Sequence, residues 1–140
     1  MAVKNIVISI QPKWADLIKS GAKTIELRRR FPKLPAGSTA LLYESAPVCS
    51  ITARLRIGLV EELPIDELWS RHSAASCVDE CYFGEYYADR VVGYAIHITE
   101  CVALPKAEPL KDLRVEIAFT APQSWAYAKP ELVTRLGGVA

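Results

Sequence analysis

Long apolar runs are missing from this chain. No stretch approaches the ~18 uncharged apolar residues that a membrane-spanning helix needs. Residues 1–10 lack the long apolar core and small-residue cleavage site of a signal peptide. Neither a membrane association nor export is expected, so Cys49, Cys77, Cys81 and Cys101 read as reduced thiols in the cytoplasm. Histidine is scarce, with two residues, and net charge is slight at +1. Cys77 and Cys81 stand four apart with His72 nearby, but zinc sites commonly draw on two close pairs and the second is absent. Neither a metal nor a cofactor is expected; Cys77 and Cys81 read as buried helix-face residues, and Cys49 and Cys101 stand alone in strand-like segments. His97 alternates within an apolar strand and His72 sits in an acidic helix, which makes both poor catalytic candidates. With 51% of residues hydrophobic, the chain is no disordered polymer. Its 140 residues suit one domain, 1–140, with a core of about 5–127 and a tail at 128–140.

The small net charge conceals an asymmetry. Residues 1–60 carry ten Lys/Arg against three Asp/Glu, a balance of +7, whereas residues 61–89 carry Arg71 against eight acids, a balance of −7. The densest basic stretch holds Lys23, Arg28, Arg29, Arg30 and Lys33 against Glu26 alone. A local positive field favours a polyanion even when the whole chain is near neutral. The acidic 61–89 face offers a surface for a basic protein partner.

Hydrophobic periodicity gives a coarse map. Residues 5–11 alternate as a strand, and Pro12 then opens a helix that Gly21 ends. Residues 24–30 alternate again, with Ile25 and Leu27 on one face and Thr24, Glu26, Arg28 and Arg30 on the other. Strands are expected at 38–43, 50–60 and 90–101, and helices at 65–76 and 78–90. Pro105 and Pro109 mark a linker, residues 115–119 a short strand, and the tail a short helix ended by Gly137 and Gly138. The fold class is α+β: a small, mostly antiparallel β-barrel or strongly curved sheet with peripheral helices. The helices at 65–90 do not read as a DNA-groove reader, because Asp79, Glu80, Glu85 and Asp89 would face phosphate with the wrong sign. Tyr82/Tyr86 and Phe83/Tyr87 suit packing on the barrel.

The most informative segment is Gly21-Ala22-Lys23-Thr24-Ile25-Glu26-Leu27-Arg28, which puts Glu26 and Arg28 on one strand face. A desolvated ion pair is costly to bury, so such a pair in a barrel mouth points to a site, whereas on an open surface it is worth under ~1 kcal/mol. Ser9-Ile10-Gln11-Pro12 with Ile18, Gly21, Lys23, Glu26 and Arg28-Arg29-Arg30 resembles the ASCH domain of the PUA-like superfamily, whose signature is G-x-K-x-x-E-x-R. Residues 42–47, 92–98 and Ala121-Pro122-Gln123-Ser124-Trp125 resemble further elements of that family, the last of them in members associated with transcription regulation.

The resemblance implies a PUA-like β-barrel whose cleft binds RNA or a modified nucleoside or nucleotide. Lys23, Glu26 and Arg28 would line that cleft, with Tyr43, Ser45 and Pro47 at its rim and Gln123 and Ser124 opposite. Trp14, Tyr43, Trp125 and Gln123 are residue types that stack on bases or read their edges, and Lys23, Arg28, Arg29 and Arg30 can serve phosphates. Some relatives are amidohydrolases of acetylated cytidine, with a Lys, a Thr three residues on and a distant Glu. This chain keeps Lys23 but has Glu26 where the Thr would stand, and Glu80 and Glu85 are candidates for the third partner. As a hydrolase it would use Lys23 and Glu26, with Ser45 or Ser124 as nucleophile, and as a ribonuclease it would keep Lys23 and Glu26 in the site.

Overall fold

In the computed structural model, which describes residues 2–136, six strands form one curled sheet in the order β2-β5-β4-β3-β1-β6. Strand β1 (Asn5–Ile10) leads into helix α1 (Pro12–Ser20), and β2 (Ile25–Arg28), β3 (Thr39–Glu44) and β4 (Ser50–Pro64) follow. Next come α2 (Ile65–Ser76), α3 (Glu80–Tyr86), β5 (Val92–Pro109), α4 (Leu110–Ile117), β6 (Trp125–Tyr127) and α5 (Pro130–Arg135). Among the described residues only β1 and β3 run parallel; the other pairings are antiparallel. The expected mostly antiparallel, half-closed α+β architecture is what forms. Among the described residues no helix is long and apolar enough to cross a membrane.

Strand alternation sorts the core into three clusters. Ile6, Ile8, Ile10, Leu42, Leu55, Ile57 and Ile96 fill the inside of the curl, where Ala15 and Ile18 of α1 plug one end. Val7, Leu41, Tyr43 and Ile51 point to the outer face and pack with Leu113 of α4 and Leu132 of α5. Ile25, Leu27 and Ala95 point out at the other end, beneath Leu68 of α2 and Phe83 of α3. Each side chain so buried contributes about 1.5–3 kcal/mol relative to exposure.

Two expectations fail for physical reasons. The linker at Pro105 and Pro109 is strand, because β2 pairs β5 only over Tyr94–His97 and leaves the downstream edge free. Pro105 lies where the β4–β5 register breaks, between the Ala53↔Ala103 and Ile51↔Glu108 pairs, so its missing N–H costs no ladder bond. The strand expected at 115–119 does not form: residues 115–117 end α4, and Ala118 caps it in the left-handed region. The β-branched Val115 suggested a strand, but it is 87% exposed, while Leu110 and Leu113 supply a helix's apolar side. Helix α3 is also shorter than expected; Asp79 caps it by accepting the Tyr82 N–H at 2.7 Å. The glycines expected to end the tail helix, Gly137 and Gly138, lie outside the described residues.

Candidate functional site

Gly21 ends α1 in the left-handed region at φ 87°, so the chain reverses and delivers residue 23 to the mouth of the curl. A cleft of about 300 Å³ opens there. Its lining comes from the β1–α1 junction (Ser9, Gln11, Trp14), from Lys23 and β2, from α3, and from Ser45 and Gln123.

An ionic cluster forms the floor. Arg28 donates to Glu26 Oε2 from Nε at 2.9 Å and from Nη2 at 2.7 Å. Lys23 Nζ lies 3.5 Å from Glu26 Oε1 and donates to the Ser76 carbonyl at 2.6 Å. Lys23 therefore places a cation on the last carbonyl of α2, where the helix dipole favours one. Its side chain is 1% exposed, and burial pushes its pKa below the ordinary lysine range while Glu26 pulls it back. Arg28 also spans the open seam of the sheet. It donates to the Ser9 carbonyl at 2.9 Å and to Ser124 Oγ at 3.1 Å, tying edge strand β2 to β1 and to the segment before β6. Tyr87 fixes β2 from behind by donating to the Arg28 carbonyl at 3.0 Å, and burial drives its pKa far up.

Aromatic rings form one wall. Trp14 and Tyr82 sit 5.4 Å apart, and Tyr82 and Tyr86 are stacked at 6.0 Å with planes 10° apart. Cations cover this wall at the rim, with Lys13 Nζ 4.6 Å from the Trp14 ring centre and the Arg29 guanidinium 4.9 Å from that of Tyr86.

The cleft thus brings together Trp14, Lys23, Glu26, Arg28, Ser45 and Gln123, and Ser124 meets it through Arg28. Four sequence candidates, Tyr43, Arg30, Pro47 and Trp125, lie elsewhere. Tyr43 points to the outer face and packs on Phe119 at 6.4 Å, because it follows Leu41 by two residues and shares its side of β3. Arg30 is on the exposed bend after β2, and Pro47 is exposed beyond Ser45; neither lines the cleft. Lys23, 1% exposed, belongs to the cleft floor and not to the cations at its rim. Trp125 packs into the core against Phe31 at 5.9 Å.

Sequence reasoning missed Tyr82 and Tyr86, which it assigned to packing. On α3 the pairs Tyr82/Tyr86 and Phe83/Tyr87 are offset by one residue, about 100° around the helix. Phe83 and Tyr87 are buried, and Tyr82 and Tyr86 turn toward the cleft. The two aromatic stripes were visible in the sequence; which one faced the barrel was not. A second cluster was missed outright. Glu61, His72 and His97 converge on the opposite side of the sheet, whereas Cys77 and Cys81 take no part in it.

Comparison with known proteins agrees with the fold. The ASCH domain family matches residues 8–130. An ASCH domain-containing ribonuclease of Zymomonas mobilis is 29% identical over 136 residues, covering 95% of this chain and 90% of the relative. The crystal structure of ASCH from Zymomonas mobilis superposes with a TM-score of 0.88 at 27% identity, over 95% of this chain and 93% of that one. Human THYN1, solved in complex with 5-methylcytosine-containing DNA, shares the fold at a TM-score of 0.57 and 12% identity, over 95% of both chains.

Proposed function

The chain belongs to the ASCH domain family, and from that premise we propose that its cleft binds single-stranded RNA. The observation that carries this reading is an aromatic wall facing a buried Lys–Glu–Arg floor across about 300 Å³. An unstacked base lies against Tyr82 and Tyr86 and presents its polar edge to Glu26 and Gln123. The cations at the rim, Lys13 and Arg29, take the flanking phosphates, with Arg30 further along the strand's path. The protein works in the cytoplasm, where its four thiols, all free, stay reduced.

Fluorescence anisotropy with a labelled single-stranded RNA tests this, beside a duplex of the same sequence. Binding should favour the single strand and weaken steeply with salt. Arg29→Ala should weaken it and flatten the salt slope by about one ion. Equal affinity for the duplex, or no salt dependence, would refute the reading.

A second reading, ribonuclease, is favoured by Lys23. Attack of a ribose 2′-hydroxyl on the adjacent phosphorus, with loss of the 5′-oxygen, needs one group to accept a proton and one to donate it. A lysine whose pKa is lowered by burial, 3.5 Å from a carboxylate, supplies such a pair. The relative at 29% identity carries a ribonuclease name. The amidohydrolase alternative lacks a hydroxyl at position 26, where Glu26 is held by two cations. Incubation with end-labelled RNA and, separately, with acetylated cytidine distinguishes these. RNA cleavage lost in Lys23→Met and Glu26→Gln supports the ribonuclease, and retained binding without turnover supports the binding module alone.

A further inference from the structure

The two histidines play no part in the cleft, yet the fold brings them to one carboxylate. His72 on α2 and His97 on β5 each direct Nε2 at Oε1 of Glu61 on β4, at 2.9 and 2.7 Å. Their rings stand nearly perpendicular, 89°, with centres 5.3 Å apart. One ligand atom from each of the three residues lies within 4.8 Å of the others. The His72 and Glu61 side chains are 12% and 17% exposed and that of His97 is 32% exposed, so protein walls the group and leaves one side open.

The convergence depends on a specific device. Ile57 pairs with Ile98 and Val60 with Ile96, so β4 carries one extra residue between these pairs. In a regular strand Glu61 would share the inner face with Ile57, four residues earlier. The bulge turns Val60 inward and Glu61 outward, onto the face of Ala95 and His97. On α2, His72 falls midway between buried Leu68 and Ser76 on the helix side that meets the sheet.

We propose that Glu61, His72 and His97 form a binding site for a divalent transition-metal cation of the zinc class. Two imidazoles and one carboxylate suit such borderline ions, whereas Mg²⁺ and Ca²⁺ prefer all-oxygen sets. Ligand atoms at 2.0–2.1 Å from a tetrahedral ion stand about 3.3 Å apart, so the two short contacts need open by only about half an ångström. A carboxylate oxygen only accepts hydrogen bonds, so both rings now donate from Nε2; on metal binding each neutral ring carries its proton on Nδ1 instead. Arg71 Nη1 lies 3.4 Å from Glu61 Oε2, and its Nη2 lies 3.9 Å from Glu67 Oε2, which leaves Glu61 Oε1 as the single carboxylate ligand. Water completes the coordination on the open side. The ion would pin α2 to β4 and β5.

The test uses the full chain, stripped with EDTA and titrated with ZnCl₂ against a chromophoric chelator. One Zn²⁺ per chain is expected, with a rise in melting temperature. The double variant His72→Gln/His97→Gln should bind at least about tenfold more weakly and lose that rise. Circular dichroism checks that the variant folds. Histidine-selective ¹⁵N NMR of the wild type reads the site without any substitution, and both rings should shift on adding Zn²⁺. No binding, binding unaltered in the folded double variant, or imidazole signals that stay put while Co²⁺ develops thiolate absorption would each overturn the proposal.

Discussion

The Glu26–Arg28 pair admits a quantitative test of whether the cleft floor is desolvated. Their side chains are 10% and 12% exposed, and two charge-assisted bonds of 2.7 and 2.9 Å join them. Removing one partner of a buried pair typically costs 3–5 kcal/mol, because the other charge stays behind unpaired. Here Lys23 remains 3.5 Å from Glu26 and softens the loss, so Arg28→Met should cost about 3 kcal/mol. For a chain of this length that is a fall in Tm of roughly 10 °C. Arg28→Met also breaks the bonds to Ser9 and Ser124, so the single variant overstates the pair itself. A double-mutant cycle with Glu26→Gln isolates it. Urea denaturation of the four proteins at one pH should give a coupling of about 2 kcal/mol. An exposed pair gives under ~1 kcal/mol. A coupling in that lower range, with additive single effects, would mean that the floor is open to solvent, and the reasoning built on its burial would fall.

Lys23 makes a prediction about pH. Its native pKa lies below the ordinary 10.5, chiefly through burial, so between the two values the unfolded chain binds more protons than the native one. Stability should therefore rise with pH across that interval, and the rise should vanish in Lys23→Met. Comparing the two proteins over an alkaline urea series cancels the opposing contributions of Tyr82, Tyr87 and Cys101, whose pKa values burial raises. Tyr82→Ala should lower single-stranded RNA affinity by about 1–3 kcal/mol, while Tyr82→Phe, which keeps the ring, should lower it little. Anisotropy measures both, and equal losses would argue against stacking. Gly93→Ala should destabilise by about 1–3 kcal/mol, because the added Cβ would meet Tyr87 Cε1 at 2.5 Å and Leu68 Cδ2 at 2.8 Å. A melting curve unchanged from wild type would show that this packing yields easily.

Periodicity located β1, α1, β2 and α2 with little error, since in each a regular apolar spacing coincides with a local stop such as Pro12 or Gly21. It also put Glu26 and Arg28 on one face, and Ile25 and Leu27 on the other, as found. It failed at the second half of β5 and at α4. There the outcome turned on which strand edges were left unpaired and on which side Leu113 could be buried. Tyr43 misled because an aromatic residue near a cleft motif in sequence can still belong to the other side of its strand.

The features legible in the residue order were therefore local: which neighbouring side chains share a face, and where a periodic run meets a stop such as Pro12 or Gly21. Those properties follow from backbone geometry repeated every two or 3.6 residues. Long-range packing settled which aromatic stripe of α3 entered the cleft, that Arg28 would bridge the seam to Ser9 and Ser124, and that a bulge would carry Glu61 to His72 and His97. These are contacts between residues far apart in the chain, set by sheet curl and strand register, and local spacing carries no record of either.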